Sequence, residues 1–244
     1  MSRVWLMFVL TACGRVDFGE LTLAHVDASN PSTDADLGLR PIHQYGLDNS
    51  YADDFGGPSL VDHGGGFFPD GYHFGPNQGL SVDGALPQDV YTIDIVFAFA
   101  DLAGWRKILD YQGLTQDSGF YTYASALQYV IVPEADFLTT MPTFTIDTPV
   151  RVTLTRDAST HVVVYLGTVP VDALRAPGPT PPTTPPATAF EFDDPNRVAA
   201  LTGTTATFFI DDTVTSGGES ASGVVRRIQI YDVALTAAQV AAAP

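Results

Sequence analysis

The segment GVVRRIQIY, residues 223–231, predicts the strand that the upstream chain completes into one β-structure. Polar and apolar residues alternate along it with a period of two, which is typical of a β-strand with one buried face. Simple alternation predicts that one side carries Val224, Arg226, Ile228 and Ile230. It predicts that the opposite side carries Val225, Arg227, Gln229 and Tyr231.

The segments on either side of this strand predict where it begins and ends. Glycine and serine dominate residues 217–223, and they predict a flexible turn that leads into the strand. After the strand, Thr236 and Gln239 have the spacing of a capping box, in which each side chain binds the backbone N–H of the other residue. Residues 237–243 are therefore predicted as a short helical turn.

The chain upstream is predicted to supply the rest of an antiparallel β-structure. Short apolar segments alternate with glycine- and aspartate-rich turns, and no stretch before Thr236 has helical periodicity. In the clearest segment, Tyr91–Phe99, alternation places isoleucines and phenylalanines on the core face and predicts that Asp94 is exposed on the other. The predicted strands include 42–45, 91–99, 105–111, 119–123, 127–132, 150–157 and 161–166, of which the last two form a hairpin. The fold class is therefore predicted to be all-β.

Composition limits the kinds of partner that this chain can have. Its 244 residues suffice for one large β domain, and its formal net charge is −17. Nucleic acids and anionic lipid surfaces require a basic patch, so this charge argues against both. Lys107 is the only lysine, and nearly all of the acidic residues are aspartates. Abundant aspartate, threonine and glycine with so little lysine favour an extracytoplasmic protein.

The first residues predict export and lipid anchoring. Arg3 precedes an apolar run over residues 4–10 that is too short to span a bilayer, and Leu10-Thr11-Ala12-Cys13 follows. These four residues resemble the lipobox of bacterial lipoproteins, whose leader is removed and whose cysteine is lipidated. Residues 1–12 are therefore predicted as a signal peptide, Cys13 as the lipidation site and residues 13–41 as a tether. The predicted location is the outer membrane or cell surface, with membrane contact only through the lipid.

Two alternatives remain for this N-terminal segment, an ordinary signal peptide and an apolar strand that contains a cysteine. Cys13 is the single cysteine of the chain, so no intrachain disulfide can form.

A proline-rich, low-complexity tract occupies residues 176–188 and favours polyproline II structure. The segments that follow it are too few to bury a core of their own. The tract is therefore predicted as a surface loop within one domain, residues 42–244, rather than as an interdomain linker. Recognition of the tract by a partner is a further alternative.

The order of these pieces resembles the laminin-G-like, concanavalin A-like jelly roll of secreted bacterial proteins. The matching stretches are 91–97, 105–109, 152–157, 164–171, 208–212 and 223–235. The resemblance implies two curved antiparallel sheets packed face to face, with the first and last strands adjacent. It also implies a binding or adhesion module for glycans or proteins and, in many members, a structural calcium ion near the sheet rim.

Two acidic loops are the candidates for such a calcium ion. Calcium takes about six to eight oxygen ligands, which flexible loops supply from carboxylates and carbonyls. The predicted ligands are Asp54 in the first loop and Asp211, Asp212 and Glu219 in the loop before the closing strand. The two loops would meet at one rim if the first and last strands are neighbours. The alternative is that these residues only cap turns and end strands.

Trp105, Tyr121 and Tyr123 are the candidate ligand-binding residues, because sandwich lectins stack sugar rings on exposed aromatic side chains. Tyr121 and Tyr123 share one face of their strand, whereas Phe120 points to the other. Packing in the core is the alternative for each of them. The predicted function is a non-catalytic, surface-tethered module that binds a carbohydrate or an extracellular protein.

A carbohydrate-active enzyme on the same fold and a purely structural envelope module are the alternative functions. Retaining glycoside hydrolases need two carboxyl groups about 5 Å apart, which the laminarinase-type enzymes of this fold class place on one strand. Asp94 has no acidic neighbour on its face, and the pair Glu191 and Asp193 follows the proline tract. The sequence contains no zinc-protease, nucleophile-elbow or phosphate-loop motif.

Overall fold

The computed structural model describes residues 40–131, 135–138, 144–168 and 187–243. The chain divides into two compact units, Met1–Leu37 and Gly38–Pro244, and all described residues belong to the second. The predicted signal peptide, Cys13 and nearly all of the predicted tether therefore lie outside the described residues.

The second unit consists almost entirely of β-strands, with one short helix at its end. In chain order the elements are β1 (His43–Tyr45), β2 (Val61–Asp62), β3 (Gly66–Phe68), β4 (Gly71–Phe74), β5 (Leu80–Asp83), β6 (Tyr91–Phe99), β7 (Trp105–Asp110), β8 (Gly119–Tyr123), β9 (Ala126–Ile131), β10 (Ala135–Leu138), β11 (Val150–Arg156), β12 (His161–Thr168), β13 (Ala187–Asp193), β14 (Thr205–Phe208), β15 (Gly223–Tyr231) and α1 (Ala237–Ala242).

These strands form two antiparallel sheets that enclose one hydrophobic core. The eight-stranded sheet has the order β13-β12-β11-β6-β15-β4-β3, with β1 also paired to β15. The seven-stranded sheet has the order β10-β9-β8-β7-β14-β5-β2. The predicted all-β sandwich of two antiparallel sheets with a short C-terminal helix is confirmed.

β15 is the central strand of the eight-stranded sheet. It pairs with β6 along its whole length, with β4 at its start and with β1 near its end. The predicted adjacency of the first and last strands is thus confirmed. Its first residue must be small, because a Cβ on Gly223 would lie 2.4 Å from the carbonyl oxygen of Ala98.

A β-bulge in β15 changes which side chains enter the core. The register shifts between Val225 and Arg227, and Val225 has no exposed surface, like Ile228 and Ile230. The predicted face of Val225 is therefore wrong, and so is the prediction that Val224 and Arg226 share the core face with the isoleucines. Strict alternation holds only in a regular strand, and the extra residue of a bulge moves the side chains before it to the other face.

The residues after β15 cover the outer face of the eight-stranded sheet. Leu235 and Val240 pack against Tyr165 and Tyr231. The helix α1 begins with the predicted capping box between Thr236 and Gln239. This covering segment explains why all nine residues of β6 are buried, although alternation predicts only one buried face.

Asp94 lies under this cover and is buried, so its predicted exposure is wrong. Its Oδ2 accepts hydrogen bonds from Arg151 Nε at 2.6 Å and from Thr153 Oγ1 at 2.6 Å, and its Oδ1 accepts one from Arg227 Nη2 at 3.1 Å. Arg151 in turn donates to the carbonyl oxygen of Ala243 at the end of α1. A buried ionic cluster therefore joins three strands to the C-terminal segment.

The strands before and after the proline tract belong to the same sheet. β13 pairs antiparallel with β12, and the register includes Val162 opposite Phe192. Ala187 and Thr188, which were predicted as the end of the surface loop, are the first residues of β13. The rest of the tract lies outside the described residues. Within the described part of the chain, no helix has the length and apolar character needed to cross a bilayer.

Candidate functional site

A buried lysine occupies the outer face of the seven-stranded sheet. Lys107 on β7 has no exposed surface. Its Nζ donates hydrogen bonds to Tyr121 Oη at 2.6 Å and to Asp212 Oδ2 at 2.8 Å, and it lies 3.2 Å from Asp110 Oδ2. Lysine is rarely buried in this way unless acidic partners surround it. One cation between two carboxylates is the centre of the candidate site.

The strand geometry of β7 and β8 brings these groups together. Lys107 is directly opposite Tyr121, and its Nζ also lies 4.6 Å from the centre of the tyrosine ring. A register shift between Lys107 and Leu109 lets both Ile108 and Leu109 enter the core. Because of this bulge, Lys107 and Asp110 point to the same outer side although they are three residues apart.

Each of the two aspartates is held rigidly by backbone N–H groups. Asp212 Oδ1 accepts from the N–H groups of Val214 and Thr215, at 2.8 and 3.2 Å. Asp110 Oδ1 accepts from those of Gln112 and Leu114, at 3.0 and 2.8 Å. The pKa of Asp212 is lowered because the hydrogen bond and charge of Lys107 and the backbone donors outweigh the cost of burying its carboxylate.

The loop between β14 and β15, residues 209–222, supplies the acidic side of the site. Its path is fixed by a backbone hydrogen bond from Lys107 N–H to the carbonyl oxygen of Glu219 at 2.8 Å. Asp211 is buried, and its Oδ2 accepts from Thr215 Oγ1 and from the N–H of Glu219. Within the part of the chain that the structure describes, Asp211 Oδ1 has no hydrogen-bond partner.

Glu219 has the most strongly shifted acidic pKa of the site. Its pKa is raised to about 7, first by burial of the carboxylate and then by the charges of Asp117, Asp211 and Asp212, while the charge of Lys107 opposes the rise. The folded protein therefore holds a proton on Glu219 in a pH range where an unfolded glutamate has lost it.

This shift predicts a pH-dependent component of stability. Between the ordinary pKa of 4.5 and the folded value of about 7, the folded state binds more protons than the unfolded state, so stability falls as the pH rises. We expect Glu219→Gln to remove that part of the decline in urea-unfolding free energy measured from pH 4.5 to 8. Glu191→Gln is the matched control, because Glu191 is 64% exposed. Equal pH slopes for wild type and Glu219→Gln would contradict the assignment.

An aromatic pair lies next to the lysine network on the same face. Trp105 is opposite Tyr123 in the register of β7 and β8, and their ring centres are 4.6 Å apart. Tyr123 is 43% exposed, and Trp105 is half-buried. Trp105 also packs edge-to-face against Tyr121, with ring centres 5.7 Å apart, and Tyr121 belongs to the lysine network. The turn from β8 to β9, with left-handed Ala124 and Ser125, places Tyr123 at the end of a tight hairpin.

The structure brings together most of the residues that the sequence predicted for two separate sites. Asp211, Asp212 and Glu219 share one face of the seven-stranded sheet with Trp105, Tyr121 and Tyr123. Tyr121 has no exposed surface, so it supports the Trp105 ring instead of presenting its own. Phe120 lies on the opposite face of β8, as predicted, and enters the core there.

Asp54 does not join the other predicted calcium ligands in the described hydrogen bonds and ion pairs. Its Oδ2 accepts from Gln44 Nε2 beside β1 of the eight-stranded sheet, whereas Asp212 binds Lys107 on β7 of the other sheet. Among the described residues no group of three or more histidine, cysteine or acidic side chains is arranged to hold a metal ion. Calcium binding stays a prediction.

Lys107 is the residue of the candidate site that sequence patterns did not assign to a site. The signal was that it is the only lysine of the chain and interrupts an otherwise strand-like segment. Its partner Asp212 is 105 residues away in sequence, so no local pattern could have paired them.

Comparison with known proteins identifies the fold but no family. No protein-family model matches this chain, and no curated protein matches it either. Among solved structures, the binding domain of botulinum neurotoxin serotype D is similar with a TM-score of 0.55 and 11% sequence identity, over 83% of this chain and 50% of that one. At this identity the likeness shows the β-sandwich fold alone.

Two further solved structures show the same fold. A Trypanosoma rangeli sialidase in complex with 2,3-difluorosialic acid has a TM-score of 0.54 and 14% identity, over 81% of this chain and 31% of that one. Botulinum neurotoxin type C, whose cell entry depends on interaction with two ganglioside molecules, has a TM-score of 0.54 and 12% identity, over 83% of this chain and 50% of that one. The chain therefore spans half or less of the length of these structures.

Proposed function

We propose that this protein is a non-catalytic, laminin-G-like binding module that recognises a glycan on the outer face of its seven-stranded sheet. The observation that carries the proposal is the adjacent pair Trp105 and Tyr123, which presents partly exposed rings beside a rigid, buried polar network. Sugar rings bind to such surfaces because aromatic faces are apolar and rigid while neighbouring polar groups fix orientation. We also propose that Cys13 is lipidated and tethers the module to the bacterial envelope.

The rigidity of the ring pair supports this function. Trp105 packs against the buried Tyr121, whose hydroxyl is fixed by Lys107 and Asp212. A side chain that is already ordered before binding loses little conformational freedom when a ligand arrives, so more of the contact energy appears as affinity. The network thus preorganises the surface without itself being exposed.

The charge around the rings favours a neutral glycan over an acidic one. The chain carries a net charge of −17, and four acidic residues, Asp117, Asp211, Asp212 and Glu219, lie near the network of Lys107. A carboxylated or sulfated sugar would meet like charges here, which raises the free energy of its complex. The solved neighbours named above include a ganglioside-binding toxin, which supports a glycan as the ligand class but does not define the sugar.

An extracellular protein is the alternative ligand, and a glycoside hydrolase on the same fold is the alternative activity. Asp94 is not available as a catalytic acid or nucleophile in this structure, because its two oxygens are occupied by Arg151, Thr153 and Arg227. Glu191 and Asp193 lie on β13, where both contact His161. The release of sugar products from any polysaccharide would contradict the non-catalytic proposal.

We expect Trp105→Ala and Tyr123→Ala each to weaken glycan binding about tenfold or more, which corresponds to about 1.4 kcal/mol of lost binding free energy. Glycan-array screening of the purified protein would select neutral oligosaccharides, and calorimetric titration would measure the affinity of each variant.

Phe68→Ala is the matched control for these variants. Phe68 is also an exposed aromatic residue, at 58%, but it lies on β3 of the opposite sheet. We expect the control to bind like wild type. Unchanged affinity of both site variants, or an equal loss in the control, would contradict the proposed surface.

A further inference from the structure

The arrangement around Lys107 has the parts needed for a covalent reaction between two side chains. We propose that Lys107 Nζ condenses with the Asp212 carboxyl group to form an intramolecular amide cross-link. The cross-link would join β7 to the loop between β14 and β15. This inference does not depend on the proposed glycan binding.

The two reacting groups are close, buried and held in place. Lys107 Nζ lies 2.8 Å from Asp212 Oδ2, and both side chains have 0% exposure. A pair that is fixed at contact distance reacts with the advantage of an intramolecular step, because the entropy of bringing the groups together has already been lost on folding.

Asp212 Oδ1 lies where an oxyanion would be stabilised. Attack of Nζ on the carboxyl carbon forms a C–N bond and a tetrahedral intermediate with negative charge on one oxygen. The N–H groups of Val214 and Thr215 already donate to Oδ1, at 2.8 and 3.2 Å. Two preorganised backbone donors are the usual means by which proteins stabilise such an intermediate.

The Tyr121 hydroxyl connects the nitrogen that loses protons with the oxygen that gains them. It accepts a hydrogen bond from Lys107 Nζ at 2.6 Å and donates one to Asp212 Oδ2 at 3.2 Å. The ammonium group gives up two protons, one along the direct contact and one through this hydroxyl. Oδ2 leaves as water with both protons, and the nitrogen keeps one in the amide. The reaction consumes one ammonium and one carboxylate and needs no oxidant or other reactant.

Asp110 is the competing partner, and the geometry favours Asp212. Asp110 Oδ2 is farther from Lys107 Nζ, at 3.2 Å, and among the described residues it has no hydrogen-bond partner that could deliver a proton to it. Asp110 instead balances the charge of the lysine before the reaction.

Peptide mapping by mass spectrometry of the denatured full-length protein tests the proposal. We expect a branched peptide that contains Lys107 and Asp212 and is lighter by one water than the two separate peptides together. This readout does not depend on how the N-terminus is processed. Separate peptides of full mass would show an ion pair only and would overturn the proposal. A water lost from an aspartate alone, or a link to Asp110, would also overturn it.

Three variants keep the test decisive. Lys107→Arg retains the positive charge but should give no branched peptide, and Asp110→Asn should still give it. Tyr121→Phe retains the ring and removes only the hydroxyl, so we expect it to fold. When both proteins are purified from inclusion bodies and refolded, the variant should form the link at least tenfold more slowly than wild type. A Tyr121→Phe protein that links at the wild-type rate would contradict the proton path through the hydroxyl.

Discussion

Deletion of residues 224–235 is expected to abolish the cooperative unfolding transition of the whole sandwich. The deletion removes β15 beyond its first residue, and β15 separates β6 from β4 and β1. It also removes Val225, Ile228 and Ile230 from the core, each of which contributes about 1.5–3 kcal/mol by burial. A domain with a total stability of about 5–15 kcal/mol does not survive the combined loss.

Circular dichroism during a thermal scan measures this outcome. The wild type should show one sigmoidal transition, and the deletion variant should show none. Deletion of residues 237–243 alone is the comparison, because it removes only α1 and leaves every strand in place. We expect that shorter deletion to lower the melting temperature while preserving a transition. A cooperative transition in the 224–235 deletion would show that β15 is not the central strand.

The second large effect is expected from Asp94→Asn. This change keeps the shape of the side chain but leaves Arg151 and Arg227 buried without a carboxylate. Breaking a buried ion pair from one side costs about 3–5 kcal/mol, because the remaining charge has lost its compensation in a site without water. Among the described residues, Arg151 Nη2 and Arg227 Nε already lack a hydrogen-bond partner, so this part of the chain offers the cluster no spare acceptor.

Urea unfolding followed by tryptophan fluorescence would measure the change in free energy. Asp70→Asn is the control, because Asp70 pairs with His73 at a site where both side chains are 40% exposed. An exposed pair contributes about 0–1 kcal/mol, so the control should unfold almost like wild type. Equal effects of the two substitutions would show that Asp94 does not compensate the buried charges of Arg151 and Arg227.

The candidate site illustrates how far local sequence patterns reach. Tyr121 and Tyr123 could be assigned to one strand face, because residues two apart in a strand point to the same side. Asp211, Asp212 and Glu219 could be assigned to one loop. The loop folds over the same sheet face because β14 pairs with both β5 and β7. No local sequence pattern contains these pairings.

Sequence patterns alone predicted the strands β6, β7, β8, β9, β11, β12 and β15, the hairpin of β11 and β12, the capping box of α1 and the adjacency implied for β1 and β15. These features depend on residues close together in the chain or on an order of segments shared with a known fold. The bulge in β15, the burial of Asp94 and the contact between Lys107 and Asp212 became visible only in the folded structure. Each of these depends on atoms that are distant in sequence and meet only when the sheets are packed. In β15 itself, alternation predicted a strand, but packing against β6, β4 and β1 decided which of its side chains enter the core.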